Sequence, residues 1–584
     1  MGIDNMSIPA TRSFNFTINP TFSHQGTMNK YKVIILSLLI SFMGASCEDW
    51  LYDNVNEDAA HEALPQQVLL VALFYSAQLQ FDHAEYGAYL TQTLTTGGRN
   101  QTSSFAYKSG WGDFLTMNRH PQWRRHFYDI GVNAKEIIDE AHEAQAWNLE
   151  LIGRTLRLMS TQMTTDLFGD MPRSEAYESN SPHYDTQESI YEWMNQEIEE
   201  LIGMYEDPTY TEAATNIPID QSIDRVFAGD LNKWKHYTYA LKARLLLRKL
   251  PNWENNAATC QAIITAVNRA LEGWEDVLYR FDGGNGAQNS PWGEAFGSTE
   301  QGGLGWEGRG NMLNSAVPTK YFMENILGVF ESHNNLKGWA EDPRILAFMS
   351  ARPGPSGTSD SGTEMRYLDT NIGMDVSYKV DNYPTLFPEV DGKKVSVYTQ
   401  NTGYVPLFLE EELLLIKAEA TYWSGDKPTA RSLTMQAAEI NFDRFNLSSI
   451  YGSSYTRYRN NYLGNETGTG NYVTTYFPAD GFNIGHIMRQ KYVCLYLQPE
   501  QWTDMRRYNY SCEENGIQYD NTYVYPGLKR PNNIYEAHWG DDPKAWINRI
   551  NYDPETEEKY NKAELERLGA YKNYQWLRKP MIWQ

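Results

Sequence analysis

The residue with the most specific chemistry in this sequence is Cys47, whose thiol is a candidate acceptor for lipid. It closes the stretch Met-Gly-Ala-Ser-Cys at 43–47, directly after a short apolar run, and the acidic residues Glu48 and Asp49 follow it. Small residues before a cysteine in this setting resemble a bacterial lipobox, where a signal peptidase cleaves before the cysteine and the new N-terminal residue carries lipid. We therefore predict that Cys47 is lipidated.

The residues before Cys47 have the layout of an export signal. Lys30 and Lys32 provide a positive region, and residues 33–42 provide an apolar one. That apolar run is too short to span a bilayer, which requires about 20 residues. The hydrophobic N-terminus is therefore predicted to be removed rather than to form part of the fold.

A start at Met28 fits this signal better than a start at Met1, because the residues between them are polar and have no helical period. Residues 1–46 are thus predicted to be an upstream extension and a lipoprotein signal peptide, and residues 47–584 the mature protein. The alternative is a buried helix with a core cysteine. It is disfavoured because a core helix would not place two acidic residues directly after its most apolar face.

Catalytic and metal-binding signatures are sparse in this sequence. The sequence contains no HExxH, GxSxG or Walker A motif. Residues 303–308 fit GxGxxG, but they neither follow an apolar strand nor open a helix, so the dinucleotide-binding interpretation fails its structural context. Asp282 with Asn285 nearby could ligate calcium through oxygen atoms, although the EF-hand spacing is absent. No metal site and no cofactor are predicted beyond that calcium.

Paired carboxylates and cysteines also give little catalytic signal. Residues 410–412 are three glutamates at the start of a predicted helix, where negative charge suits the helix dipole. Glycosidase chemistry would need two carboxylates about 5 Å or about 6.5–9.5 Å apart, which a sequence does not show. Cys260, Cys494 and Cys512 lack CxxC spacing, so neither a disulfide framework nor a zinc site is indicated. Cys494 lies in an apolar run and is predicted to be a small core residue.

Charge and aromatic content limit the classes of partner. The formal net charge is −24, which disfavours nucleic acid because phosphate binding needs clustered Lys and Arg. It also disfavours attraction to anionic headgroups, so lipid must provide any membrane anchor. The chain has 17 Trp, 40 Tyr and 22 Phe. This excess fits a surface that stacks on ligands and fits a large protein interface equally well.

The elements that must position these residues are predicted to be mainly helical. Apolar spacing of three and four residues predicts helices at 67–81, 123–144, 149–168, 188–205, 230–250, 257–271, 406–423, 428–445, 485–497 and 499–508. Small residues at Ala418, Ala430 and Ala437, with a Gly-Asp turn, match the tetratricopeptide pattern near 406–445. Two long irregular loops, 282–310 and 353–363, are rich in glycine, and the first also contains aromatic residues.

Five segments together resemble the SusD/RagB family of outer-membrane lipoproteins from Bacteroidota. They are Cys47–Leu51; Asp166–Pro172 (DLFGDMP) with Ser174–Ala176; Asp224–Asp230 continuing to Trp234, 241–245 and Arg248; the repeat at 411–437; and Gln490–Tyr492 leading to Trp502–Arg507. They span most of the mature chain in the family's order. The local physical chemistry of these motifs is structural: Gly169 permits a positive-φ helix end, Asp230 is a candidate N-cap, and Trp502 and Arg506 lie one helical turn apart.

The resemblance implies a fold and a role. The fold is a SusD-like helical body with tetratricopeptide-type helix pairs and long irregular loops. The implied role is a lipid-anchored protein at the cell surface that captures nutrient, acts without catalysis and closes as a lid over a SusC-like TonB-dependent outer-membrane transporter. Acidic residues after the lipidated cysteine are similar to the surface-export signal of such lipoproteins. Ligands are glycans in many members and peptides in others.

The resemblance also indicates where ligand binds, on loops after the first helix and in the mid-chain irregular region. In this sequence it points to Arg99 and Asn100, to Trp111, and to Trp292 and Trp306. An aromatic face can stack on the C–H side of a sugar ring, while Arg and Asn hydrogen-bond its hydroxyls. For each Trp the competing interpretation is a place in the core or at the transporter contact.

Three other functions stay open on the sequence alone. The first is oligopeptide capture, because a peptide groove and an aromatic glycan platform are not separable here. The second is a surface glycoside hydrolase, which would need two carboxylates facing each other in an aromatic cleft. The third is a helical scaffold that uses its aromatic residues only for partner contact.

Overall fold

The computed structural model describes residues 65–95, 120–179, 181–284, 288–296, 312–329, 340–353, 363–369, 383–464, 472–531 and 546–584. All of these residues belong to one compact unit. The described chain is mainly helical, which confirms the predicted fold class. In the described ranges, no helix combines the length and apolar character needed to cross a bilayer.

Long helices dominate the first half of the described chain. The helices of this half are α1 (Pro65–Leu90), α2 (Pro121–Arg124), α3 (Asn133–Glu143), α4 (Trp147–Phe168), α5 (Gln187–Glu206), α6 (Pro208–Thr211), α7 (Leu231–Leu247) and α8 (Ala257–Leu271). Of these, α2 and α6 are single turns. A π-helical segment, Arg125–Val132, joins α2 to α3. The single helix predicted at 123–144 is therefore divided into three parts, because the widened π turn changes the register of the buried face.

The second half of the chain contains shorter helices around one long hairpin. They are α9 (Ile345–Phe348), α10 (Glu410–Trp423), α11 (Lys427–Phe445), α12 (Leu447–Tyr451), α13 (Ser453–Leu463), α14 (Val473–Tyr476), α15 (Ile484–Cys494), α16 (Glu500–Arg507), α17 (Glu557–Tyr560) and α18 (Lys562–Leu568). Short 3₁₀ turns lie at Met312–Asn314 and Tyr574–Arg578, and a second π segment lies at Tyr321–Ile326.

Strands are few and pair only in twos in the described ranges. They are β1 (Leu94–Thr95), β2 (Val277–Arg280), β3 (Val317–Pro318), β4 (Arg352–Pro353), β5 (Thr363–Glu364), β6 (Glu389–Val390), β7 (Lys393–Lys394) and β8 (Tyr404–Phe408). The antiparallel pairs are β1–β3, β2–β8, β4–β5 and β6–β7. These ribbons tie loops to the helical body and form no layer of their own.

Caps and turns set the helix boundaries where the sequence predicts them. The Asp230 carboxylate accepts hydrogen bonds from the backbone N–H groups of Asn232 at 3.0 Å and Lys233 at 3.2 Å, which confirms it as the N-cap of α7. Gly169 ends α4 at φ +86°. A Cβ there would lie 2.6 Å from Nη1 of Arg549, so glycine also makes room for that guanidinium.

The α10–α11 hairpin has the tight crossing that its small residues predict. Ala418, Ala430 and Ala437 are completely buried, and Gly425 turns the chain between the helices at φ +100°. The prediction that α10 begins at Pro406 is wrong. Residues Tyr404–Phe408 instead form β8 against β2, with Pro406 opposite Leu278, because this β-prone apolar run finds a strand partner before the helix starts.

Buried ion pairs hold the helical core together, and several come from the segments that carry the family resemblance. Arg248, directly after α7, binds the carboxylates of Asp166 at 2.9 Å and Glu500 at 2.6 Å. Arg506 lies 3.7 Å from the ring centroid of Trp502, so these two side chains pack against each other. Buried charges need such partners to be tolerated at all.

Candidate functional site

Most of the residues predicted to bind ligand lie outside the described residues. These are Arg99, Asn100, Trp111 and Trp306, and the lipidation candidate Cys47 also lies outside them. Their assignments therefore stay predictions. The structure does describe the strands and helices that flank these segments in the chain.

Trp292 is described, and it lies in the core. Its side chain is 1% exposed, and its ring contacts Phe81 of α1 edge-on at a centroid distance of 4.5 Å. Phe296 packs on the same ring of Phe81 at 5.4 Å. Enclosed in this way, the indole has no open face for a sugar ring in this arrangement. The structure thus gives Trp292 a packing role, and a role in ligand contact remains a prediction.

One two-stranded ribbon joins the bases of the two segments that carry the other predicted residues. β1 ends at Thr95, directly before residues 96–119, and β3 begins at Val317, shortly after residues 297–311. Thr95 and Val317 are direct partners in the antiparallel register. The segment with Arg99, Asn100 and Trp111 and the segment with Trp306 therefore have bases on neighbouring strands.

A buried hydrogen-bond cluster fixes this ribbon to the helical core. The side-chain oxygen of Gln501 accepts from Thr91 at 3.1 Å and from Thr93 at 2.9 Å. The hydroxyls of Thr93 and Tyr492 lie 2.7 Å apart. Because these polar groups are buried and mutually satisfied, they hold one arrangement. The base of the predicted ligand region is thus tied to α15 and α16.

The predicted calcium ligand has a protein partner. Asp282 forms an ion pair with the guanidinium of Arg225, and Asn285 lies outside the described residues. No cluster of three or more His, Cys, Asp or Glu side chains within the described ranges is arranged to hold a metal ion. Within the described residues the Asp282 carboxylate thus has a protein partner, and calcium binding there stays a prediction.

The three glutamates at the start of α10 do more than face the helix dipole. Glu412 forms a two-pronged pair with Arg244, with both N–O distances at 2.9 Å. Glu411 binds Arg444 and accepts from Asn441 at 3.0 Å. Both carboxylates are buried and fully engaged, which makes them structural ions rather than acid/base groups open to substrate.

An open groove with a volume of about 780 Å³ lies elsewhere on the described surface. The π-helical segment Arg125–Val132, the loop residues 172–179 with Pro182, and the turn of α17 form its walls, and the buried rings of Trp123 and Phe127 lie at its floor. Tyr128 of the π-helical segment and Tyr560 of α17 also line the groove and are 57% and 71% exposed. Aromatic rings that remain exposed around a concavity are typical of ligand sites.

A carboxylate is fixed at the floor of this groove. Glu557 accepts a hydrogen bond from Nε1 of Trp123 at 3.1 Å and another from the hydroxyl of Tyr184. Burial raises the pKa of Glu557, while these two hydrogen bonds act in the opposite direction. The acid is thus oriented by its neighbours, and Trp123 is fixed with it.

The two walls of the groove meet at Tyr177 and Gly131. Tyr177 has a φ of +71°, which is unusual for a bulky residue. Its hydroxyl occupies the space that a side chain at position 131 would fill, because a Cβ on Gly131 would lie 1.7 Å from that oxygen. The glycine in the π segment therefore lets Tyr177 and its loop pack closely against that segment.

Sequence reasoning did not find this groove. Its walls come from three segments separated by up to several hundred residues, and no motif links Tyr128, Tyr177 and Tyr560. The available signal was local: the DLFGDMP string directly precedes the loop that supplies Tyr177. The interpretation of this string as a helix end is correct, but nothing in it predicts that the loop after it lines a groove.

Comparison with known proteins identifies the family. A model of the SusD-like family described as "Starch-binding associating with outer membrane" matches residues 69–525. The chain therefore belongs to the SusD-like family, and it is a nutrient-binding SusD-like protein. No curated protein sequence matches the chain significantly.

Solved structures share this fold at low sequence identity. A SusD homolog from Bacteroides uniformis is 16% identical with a TM-score of 0.60, covering 89% of this chain and 100% of that one. A chitin-binding SusD homolog from Flavobacterium johnsoniae is 16% identical with a TM-score of 0.59, covering 89% and 97%. A SusD/RagB family protein from Bacteroides thetaiotaomicron is 15% identical with a TM-score of 0.58, covering 89% and 99%.

Proposed function

We propose that this protein is a surface-exposed outer-membrane lipoprotein that captures oligo- or polysaccharides and delivers them to a SusC-like TonB-dependent transporter, without catalysing a reaction. The observation that carries the proposal is the family match over residues 69–525, whose description names both starch binding and the outer membrane. Solved SusD homologs with the same fold, one of them described as chitin-binding, support a carbohydrate ligand.

The geometry supports a ligand region at the β1–β3 ribbon. The ribbon places the bases of the segments with Trp111 and Trp306 on adjacent strands, and the buried cluster around Gln501 holds that ribbon in place. A binding site needs its contact residues positioned by a rigid support. Two tryptophans with Arg99 and Asn100 would supply stacking faces and hydrogen bonds to a sugar.

The anchor in this proposal is lipid on Cys47. Residues 48–64 separate this cysteine from the first described helix. With a formal net charge of −24, the protein is repelled by anionic headgroups, so electrostatic attraction cannot retain it at a membrane. Several acyl chains on one cysteine would provide stable anchoring where a single chain is marginal.

Binding measurements on the full-length protein test this function. The ligands are maltohexaose, cellohexaose, chitohexaose and a hexapeptide mixture. Each is titrated into the wild-type protein and into the double variant Trp111→Ala/Trp306→Ala. We expect one of the sugars to bind and the double variant to lose most of that affinity, while Trp253→Ala, an exposed tryptophan outside this region, binds as the wild type does. Unchanged affinity in the double variant would exclude these residues, and binding of peptides alone would favour oligopeptide capture.

Partnership with the transporter needs a separate experiment. Purification of the tagged protein from its native membrane in mild detergent is expected to recover a TonB-dependent barrel in a fixed ratio. Recovery of the protein without any barrel, under conditions that preserve other outer-membrane complexes, would contradict this part of the proposal.

A further inference from the structure

We propose that the groove between the π-helical segment Arg125–Val132, the loop residues 172–179 with Pro182, and α17 is a second binding site, specific for an uncharged oligosaccharide. It is independent of the proposed site at Trp111 and Trp306, because none of its described lining residues belongs to the segments that carry those tryptophans. The inference goes beyond the proposed function, which requires only one sugar site.

The size of the groove suits a small ligand rather than a single ion. Its volume of about 780 Å³ lies within the range of about 300–1,000 Å³ that small-molecule sites occupy. It is also open along one side, where Tyr128 and Tyr560 project. An open trough accepts part of a longer chain, whereas a closed pocket would accept only a free small molecule.

The exposed rings argue for a ligand that stacks. Of the eight large hydrophobic side chains that are exposed in the described ranges, four line this one groove: Tyr128, Val132, Tyr177 and Tyr560. Leaving apolar surface in water is unfavourable, so such a concentration marks an interaction site. The flat faces of these tyrosine rings match the C–H side of a sugar ring.

The charge of the lining argues that this ligand carries no negative charge. The described lining residues include Glu178 and Glu557 and contain no Lys, Arg or His. Carboxylate oxygens accept hydrogen bonds from sugar hydroxyls and repel phosphate, sulfate or uronate groups.

A cationic ligand fits this lining less well than a neutral one. The Glu557 carboxylate is already occupied by Trp123 and Tyr184, which leaves Glu178 as the acidic group on the rim. The rest of the lining is dominated by aromatic rings and small polar groups. Sugar stacking on Tyr128 and Tyr560, with hydroxyls donating to Glu178 and Ser179, uses the groups that are present.

The groove is organised before any ligand binds. Tyr177 adopts its positive φ with its hydroxyl against Gly131, and this contact sets the distance between two walls. Strained residues of this kind concentrate at ligand-binding sites. The π turn that provides the glycine is a further feature frequent at functional sites.

Calorimetry with the full-length protein tests the proposal. The probes are maltohexaose, cellohexaose and chitohexaose as neutral sugars, hexagalacturonate as an anionic sugar, and pentalysine as a cationic peptide. We expect at least one neutral sugar to bind, and Tyr128→Ala and Tyr560→Ala each to weaken its binding to this groove about threefold to tenfold, the effect of losing one stacked ring. Tyr128→Phe and Tyr560→Phe keep the ring and are expected to retain affinity, as is the distant control Trp253→Ala.

Hydrogen exchange locates the bound sugar and separates the two sites. The proposal expects protection at 121–132, 172–179 and 557–561 that persists in the Trp111→Ala/Trp306→Ala variant. It is overturned if no neutral sugar binds, if both alanine variants bind normally, or if hexagalacturonate or pentalysine is what protects the groove. Protection confined to residues 96–119 and 297–311 would leave the proposed function standing and remove the second site.

Discussion

Arg507 and Glu419 form a buried two-pronged ion pair that joins α16 to α10. Nη1 lies 2.8 Å from Oε1 and Nη2 lies 2.9 Å from Oε2, and neither side chain is exposed. Lys491 and Asp504 complete the cluster, with Lys491 Nζ 3.2 Å from Glu419 and the Arg507 guanidinium 2.6 Å from Asp504. The second half of the helical body is therefore held by charges that have no access to water.

Removing one member of this pair should destabilise the protein strongly. Glu419→Gln leaves the Arg507 guanidinium buried with too little negative charge, and we expect a loss of about 3–5 kcal/mol in the free energy of unfolding. Urea denaturation measures it. The matched control is Lys559→Ala, which breaks an exposed pair with Glu555 and should cost less than about 1 kcal/mol. Equal effects for the two variants would contradict the assigned role.

Acid should destabilise the protein through Glu500. Burial acts to raise the pKa of Glu500, but Arg248 and Arg244 overcome this and lower the pKa to about 2, from 4.5 in the unfolded chain. Because the folded pKa is the lower one, this contribution is complete above about pH 5 and is lost as the pH falls toward 2.

The free energy of unfolding, measured at several pH values between about pH 6 and pH 3, checks this expectation. Glu500→Gln removes the titrating group. The variant should be less stable at neutral pH, because Arg248 loses a charged partner, and its stability should fall less steeply in acid. Parallel curves for the wild type and the variant would show that Glu500 does not supply the pH dependence.

Gly131→Ala should disturb the aromatic groove. The added Cβ would overlap the Tyr177 hydroxyl and would lie 2.6 Å from the carbonyl oxygen of His126, so we expect a cost of about 1–3 kcal/mol from overpacking. Combining it with Tyr177→Phe removes the hydroxyl and should recover part of this loss. A double-mutant cycle from denaturation curves measures the coupling, and strict additivity would show that the two residues do not meet.

Cys47→Ala should release the protein from the membrane. Without the acceptor thiol no lipid is attached, and the acidic chain has no electrostatic affinity for anionic lipids. Labelling with radioactive palmitate and fractionation of the expressing cells provide the measurement. Continued palmitate labelling, or an unchanged membrane fraction, would place the anchor at another residue. Ser46→Ala keeps a small residue before the cysteine and serves as the control.

The sequence predicted the helical elements best where local signals agreed. The predicted helix at 257–271 is α8 with the same bounds, and Asn256 caps it. At Pro406 a local signal misled, because a proline that suits the first turn of a helix also suits the edge of a two-stranded ribbon. The choice depended on β2, a partner more than a hundred residues away.

The partners of the buried charges were also not predictable. Asp166, Arg248 and Glu500 each look like surface residues in their own segments, and only the packed fold brings them together. The same holds for the groove, where Tyr128, Tyr177 and Tyr560 share no motif. For Trp292 the sequence left core packing and ligand contact open, and the contact with Phe81 is a long-range one that no local pattern specifies.

The measurement that tests the central claim most directly is a calorimetric titration of the full-length protein with neutral oligosaccharides, followed by an assay of the recovered sugar for new reducing ends. We predict saturable binding of at least one oligosaccharide and recovery of that sugar intact. Binding of the hexapeptide mixture with no binding of any sugar, or release of shorter sugars, would contradict a carbohydrate-capturing protein without catalytic activity.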